Sequence, residues 1–447
     1  MRAPHSALVD PIARKGIPMN RTYRIWYLLA LLFVLVPPGA RLLWWQRTKS
    51  VAVDPAQAQA GEVLFNHEWK PQDPLSPDGD GLGPVFNATS CVACHNQGGV
   101  GGAGGLEHNV TTFTVRIPGQ TPRQGVVHAD GVGGFRETLR DVSPDLPAIS
   151  RPTLEQIVNM QSRNNHCSAP LTPQRGVHLS QRNTPALFGV KLIDEIPERD
   201  ILAGAKSQKL KWGMAPSVDE DVPVGRALHL ANGRIGRFGW KAQMASLSDF
   251  VQAACANELG LSNPGQPQPT PIYYKEKQTA PKSYGLDLTA EQCDQIAAFC
   301  ASLAKPVERL PKDVSEEQAV AGRTLFSRIG CADCHTPKLG PADGIYSDLL
   351  LHQMGQELVG GGSYGEPPIP DPDVPDDGPS PSEWRTPPLW GVADSAPYLH
   401  DGRAATLDEA IRMHGGQGQR AARHFAALNR NEQADLLGFL KTLRAPQ

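Results

Sequence analysis

Little in this 447-residue sequence is charged in one direction. Its 43 lysines and arginines stand against 46 aspartates and glutamates, a formal charge of -3. No long basic run occurs, so a nucleic-acid-binding role has no electrostatic footprint. Strand-like alternation is scarce. The 44 glycines follow no period, which excludes collagen-like and linker readings. Cysteine is sparse, with eight residues, and beyond "CVACH" (Cys91 to His95) and "CADCH" (Cys331 to His335) no further Cys-x-x-Cys follows. What is plentiful is glycine and proline, 44 and 41 residues. That composition suits a loop-rich chain, and the length suits two or three domains.

One stretch carries a membrane signal. "IWYLLALLFVLVPPGA" (Ile25 to Ala40) is uncharged, follows Arg21 and Arg24, and extends through "LLWW", whose tryptophans suit an interface. It reads as an uncleaved N-terminal anchor within residues 1–54, with a cleaved signal peptide as the alternative. Either places the rest of the chain in the periplasm, in the first case tethered to the inner membrane. Met19 is a plausible start.

Internal repeats organise the remainder. "AGEVLF" (Ala60 to Phe65) reappears as "AGRTLF" (Ala321 to Phe326), and "TPALFGV" (Thr184 to Val190) as "TPPLWGV" (Thr386 to Val392). "ASLSDFVQAA" (Ala245 to Ala254) pairs with "ATLDEAIRMH" (Ala405 to His414). A closing amphipathic helix ends in proline both times, at Leu288 to Pro306 and Leu428 to Pro446. Four matches in one order imply two related domains, 55–308 and 309–447. The class expected is mostly α with long loops, the first copy carrying insertions chiefly over Asn96 to Gln181.

Each copy holds one Cys-x-x-Cys-His. A zinc site wants a second Cys/His pair in the same unit, and a thioredoxin-like site wants a βαβ setting; neither is present. The motif is the c-type haem signature, in which both thiols form thioethers and the histidine ligates iron. The reading is two covalently bound haem c groups, at Cys91, Cys94 and His95, and at Cys331, Cys334 and His335. The other cysteines are Cys167, Cys255, Cys293 and Cys300. Cys293 and Cys300 lie about 10 Å apart along one helix, too far for a mutual disulfide. Each could pair with Cys167 or Cys255, or all four could be buried small apolar residues.

A second axial ligand decides whether a haem passes electrons or binds a substrate. The repeat sets Met413 and His414 against Ala253 and Ala254, neither of which can ligate. His414 is therefore the candidate sixth ligand of the second haem, with Met413, Met354, His352 and His400 as rivals. Glu258 stands one helical turn beyond Ala254, on the same face. A carboxylate there could move protons on bound peroxide.

These residues resemble the bacterial di-haem cytochrome c peroxidase superfamily, and more closely its di-haem oxidoreductase branch, often labelled thiol oxidoreductase. The likeness runs from about Gly61 onward. It rests on "GLGPVFNATSCVACH", "QRNTPALFGVKLIDEIPERDI", "GRFGWKAQMASL", "YSDLLLHQMG" and "RTPPLWGVADSAPYLHDGRAATLDEAI". The resemblance implies two cytochrome c-like domains, the N-terminal haem peroxidatic and the C-terminal one for electron transfer. Glu258 falls on the family's catalytic glutamate, with Leu259 in place of a methionine, while the neighbouring catalytic glutamine falls on Phe250. The peroxidases' electron-transfer haem has a methionine ligand where this sequence shows His414. They also carry a reversible histidine in a loop after the first motif, for which His108, His128, His166 and His178 are candidates. They often hold calcium between domains, but no motif here supports it.

Two functions follow. One is a periplasmic peroxidase-like enzyme that reduces peroxide or oxidises a partner, with electrons from a donor cytochrome or cupredoxin. The other is a non-catalytic electron-transfer cytochrome. A thiol substrate has no support. The acidic, proline-rich stretch from Gly360 to Glu383 reads as a surface loop.

Overall fold

Each repeated sequence block folds as it does for local reasons. The computed structural model describes residues 53–115, 123–162, 177–213, 221–272, 285–360 and 378–446. The expected membrane segment, Met19, Cys167 and His166 all lie outside the described residues, as does most of the acidic loop. Among the described residues no helix is long and apolar enough to cross a membrane. Apart from two single turns, Cys91–Cys94 and Leu139–Val142, the helices are α1 (Pro55–Asn66), α2 (Leu154–Ser162), α3 (Val190–Asp194), α4 (Glu198–Trp212), α5 (Leu247–Leu259) and α6 (Ala290–Ser302). After them come α7 (Glu316–Arg328), α8 (Leu407–Arg412), α9 (Gln419–Ala427) and α10 (Arg430–Thr442).

The repeated closing helix starts on a repeated cap. Thr289 and Gln292 form a capping box at α6, and Asn429 and Glu432 form one at α10. The helices before them are capped by Ser246, which accepts from the Asp249 amide, and by Thr406, which accepts from Glu409. Both copies therefore begin these helices at matching residues, while α5 runs on to Leu259 and α8 stops at Arg412.

The "AG" of the opening block marks a helix crossing. Gly61 of α1 lies against α6 so closely that a Cβ would sit 1.8 Å from the Gln295 carbonyl oxygen. Gly322 of α7 repeats this against α10, 2.0 Å from the Asp435 carbonyl. The following Leu-Phe pair fills the core beneath. Phe65 packs on Phe299 at 5.0 Å, and Phe326 on Phe439 at 5.5 Å. Gly61→Ala or Gly322→Ala should each destabilise the protein by about 1–3 kcal/mol, because backbone at the crossing must separate. Urea denaturation followed by far-ultraviolet circular dichroism measures this; an unchanged midpoint would show the crossing yields freely.

All described residues belong to one compact unit. The largest core gathers Leu64, Phe65, Leu247, Val251, Ile296 and Phe299. It also takes in Ile345, Leu349, Leu350 and Trp390 from beyond residue 309. A second core lies between α7 and α10, around Leu325, Phe326, Leu436 and Phe439.

The insertion departs from the loop-rich expectation. It contains a three-stranded antiparallel sheet of β1 (Val110–Val115), β2 (Arg123–Val127) and β3 (Val177–Arg182), with β1 central. Phe113 faces Gly125 on one side and Leu179 on the other. Every residue of β1 is buried. A strand covered on both faces shows no polar alternation, which is why the sequence pattern hid it. The sheet has its own core of Phe113, Val127, Leu139, Leu146 and Leu179.

Candidate functional site

Both Cys-x-x-Cys-His motifs fold as a single helical turn just before the histidine. Cys91–Cys94 is a one-turn helix and Cys331–Asp333 a 3-10 turn. The His95 and His335 amides each donate back to the carbonyl of the first cysteine, at 3.1 and 2.9 Å. All four thiols are free rather than paired as disulfides. Burial pushes the Cys91, Cys94 and Cys331 thiols up to about 12, so as plain thiols they stay protonated.

His95, His335 and His414 share one electrostatic setting. Burial lowers His95 and His335 to about 4, and His414 is lowered for the same reason. Each ring places Nδ1 near a backbone carbonyl: His95 on Gly102 at 3.2 Å, His335 on Tyr346 at 3.0 Å, His414 on Ala410 at 2.7 Å. An Nδ1–H donated to a carbonyl fixes the tautomer and leaves the Nε2 lone pair for a metal. The opening-block phenylalanines back the rings, Phe65 at 6.3 Å from His95 and Phe326 at 6.4 Å from His335.

Each motif lines a cavity. The second, about 510 Å³, holds Cys331, Cys334, His335, His414 and His400 in its wall. The rings of His335 and His414 lie with centroids 6.5 Å apart and planes inclined at 61°. Two imidazoles sharing one metal, with metal–nitrogen bonds of about 2.0 Å, would stand about 6 Å apart. The spacing fits a haem held by two histidines. The rivals are otherwise disposed. Met413 is 40% exposed. His352 places Nε2 on Asp348 at 2.9 Å and Nδ1 on Gln417 at 2.8 Å. His400 is stacked on Trp384 at 3.7 Å. Met354 lines the cavity.

The first cavity, about 130 Å³, is lined by Cys91, Cys94, His95, His108, Ala254 and Glu258, among others. Here the donor set carries the fit: two free thiols and a neutral, half-buried histidine on one turn. No second imidazole faces His95 from α5. Glu258 reaches this wall because α5 continues one turn past Ala254 before Gly260 ends it with φ +65°. Its Oε2 accepts from Asn87 Nδ2 at 2.8 Å. Phe250 lines the same cavity.

Of the four histidines suggested for the loop after the first motif, His108 lines the first cavity. His128 is turned away, with Nδ1 on Glu137 at 2.8 Å and Nε2 on the Asn257 carbonyl at 3.1 Å. His178 is exposed on β3. Cys255, Cys293 and Cys300 are free, buried thiols, so they behave as small apolar residues. Among the described residues, the three His, Cys or acidic side chains close enough to share a metal are Cys334, Asp348 and His352. That set is not the all-oxygen kind calcium prefers.

Two residues gain their place only from the tertiary structure. Trp240 lines both cavities, and its Nε1 donates to the Asn183 carbonyl at 2.9 Å. Its loop is closed by a bridge between Phe238 and Met244, matched by Tyr398 and Ala404 around His400. Asn87 lies four residues before Cys91 with no periodic signal to mark it.

Residues 153–443 match the family model described as "Di-haem oxidoreductase, putative peroxidase". The chain belongs to this di-haem oxidoreductase family. The matched span includes Glu258, the second Cys-x-x-Cys-His and His414, while the first motif precedes it. The cytochrome c551 peroxidase of Nitrosomonas europaea is 26% identical over 242 residues, covering 50% of this chain and 61% of that relative. The chain thus spans about three-fifths of that relative's length. Among solved structures, the diheme peroxidase BthA from Burkholderia thailandensis is similar at 16% identity and a TM-score of 0.38, covering 88% of this chain and 87% of that one. Hydrazine synthase from Kuenenia stuttgartiensis is similar at 19% identity and a TM-score of 0.31, covering 59% and 73%.

Proposed function

We propose that this chain is a periplasmic di-haem c peroxidase, with haem attached covalently at Cys91/Cys94 and at Cys331/Cys334. Haem c at both sites would supply redox-active iron, ligated by His95 at the first and by His335 at the second. The chain's own residues make the two sites unequal. His414 faces His335 and closes the second site for electron storage. The first site has Ala254 and Glu258 on the corresponding helix, leaving room for a small substrate. That asymmetry carries the reading.

The reaction consumes peroxide, two electrons and two protons, and yields two waters. A donor cytochrome or cupredoxin would supply the electrons at the second site. Trp240, in the wall of both cavities, supplies an aromatic bridge between them. Glu258 takes the proton that peroxide sheds on binding and returns it to the oxygen that leaves as water. His108, in the wall of the first cavity, would be the histidine able to occupy the first site reversibly.

Optical and electron paramagnetic resonance spectra of the anaerobic half-reduced protein, with and without cyanide, test this. One cyanide-binding haem and one low-spin haem are expected, followed by peroxide turnover with a reduced donor. Two low-spin haems that ignore cyanide in every redox state would leave an electron carrier instead.

His414→Ala should open the second site. In the fully oxidised protein the second haem should then take up cyanide, which ferric iron binds, and before cyanide is added its low-spin signal should be lost. An unchanged low-spin signal would return the assignment to Met354 or His400, which share the cavity wall.

A further inference from the structure

We propose that Asn87 is the positioning residue for Glu258, supplying from a different element the amide that the resemblance would place at Phe250. The inference rests on the reading of Glu258 as the proton-handling group of the first site. It starts from Phe250, an aromatic side chain that can offer that glutamate no hydrogen bond.

Asn87 Nδ2 donates to Glu258 Oε2 at 2.8 Å. The orientation of an asparagine amide is normally ambiguous, because its two ends look alike. Here it is fixed, since Asn87 Oδ1 accepts from the Ala129 amide at 3.0 Å. A backbone N–H can only donate, so the oxygen must face Ala129 and the NH₂ must face Glu258. The backbones are tied as well: the Asn87 and Ala88 amides both donate to the Glu258 carbonyl, at 2.7 and 3.3 Å.

A second line reaches the same helix end from the insertion. His128 precedes Ala129 and is buried, with Nδ1 2.8 Å from Glu137 Oε2 and Nε2 3.1 Å from the Asn257 carbonyl. Glu137 is fully buried, and its Oε1 accepts from the Ile272 amide at 2.7 Å. The segment that orients Asn87 is thereby fastened to the residue preceding Glu258. The insertion between the first motif and β3 is part of the apparatus that holds the carboxylate. A hydrogen bond to a charged group, made in a half-buried wall, is among the stronger ones.

The test uses the full-length holoprotein and Asn87→Asp. This variant is nearly isosteric and keeps Oδ1 for Ala129, but turns the donor facing Glu258 into an acceptor. Asn87→Leu serves as the second variant. Two rates are read: peroxide turnover, and cyanide association at the first haem, since hydrogen cyanide must lose a proton to bind. Both should fall roughly 10- to 100-fold in either variant, with the melting temperature of Asn87→Asp close to wild type. In a Glu258→Gln background the Asn87 substitutions should cost nothing further, because the group they position is gone.

Unchanged rates, or full additivity with Glu258→Gln, would overturn the proposal. If wild type shows no peroxide turnover while cyanide association still falls with both substitutions, Asn87 keeps its role and the peroxidase reading fails.

Discussion

Glu258→Gln is expected to lower peroxide turnover by about 100- to 10,000-fold, the range over which a positioned acid/base group acts. Glutamine keeps the shape and an acceptor oxygen for Asn87 Nδ2, so the local structure should survive. What it loses is the capacity to take a proton and give it back. Spectra of both haems should therefore match wild type, and the loss should appear in kcat rather than in donor affinity. A variant with wild-type turnover would remove Glu258 from the mechanism and leave the first cavity without a proton-handling group on α5. Steady-state assay with a reduced donor, together with single-turnover mixing with peroxide, separates these outcomes.

The second large effect concerns attachment. Replacing Cys91 and Cys94 together by alanine should reduce covalently bound haem from two to one per chain. It should also bring peroxide turnover to background. The remaining haem should be the low-spin one, because His335, His414, Cys331 and Cys334 are untouched. Haem staining after denaturing electrophoresis and a pyridine haemochrome count read the stoichiometry directly. Two haems per chain in this variant would mean that the first motif is not an attachment site. The cavity that joins it to Glu258 would then need another ligand. Around that cavity the other thiols, Cys255 and Cys300, are buried and pushed up by burial. They are also not followed by a histidine, so they make poor substitutes.

How far these features can be read without a structure depends on how local their causes are. The two Cys-x-x-Cys-His turns are contiguous, and their chemistry follows from spacing alone. The opening and closing helices are marked by caps three residues apart and by an "AG" followed by "LF". The structure shows why that block repeats: the glycine admits the crossing helix and the phenylalanine backs the histidine. Aligning the repeats sets His414 against Ala254 and leaves Glu258 one turn beyond, because α5 and α8 start on matching caps at Ser246 and Thr406.

Other features were illegible for stated reasons. The β1–β2–β3 sheet left no alternation, since β1 is covered on both sides. Of the four candidate histidines, which of the described ones, His108, His128 and His178, lines the first cavity depends on contacts distant in sequence. That is decided by Glu137 and the Asn257 carbonyl holding His128 away, and no spacing rule encodes it. The state of Cys255, Cys293 and Cys300 was open on sequence grounds because redox compartment and burial argue in opposite directions.

The sequence by itself determined the chemistry available: paired thiols beside a histidine, twice, and a carboxylate where one copy lacks a ligand. These depend on neighbours a few residues apart, whose geometry a single turn of helix dictates. Only the tertiary structure decided which groups meet. His335 and His414 are 79 residues apart, Asn87 and Glu258 are 171 apart, and Trp240 borders two cavities at once. Such encounters are set by the packing of whole helices and an inserted sheet around shared cores, and packing is a property of the folded chain as a body.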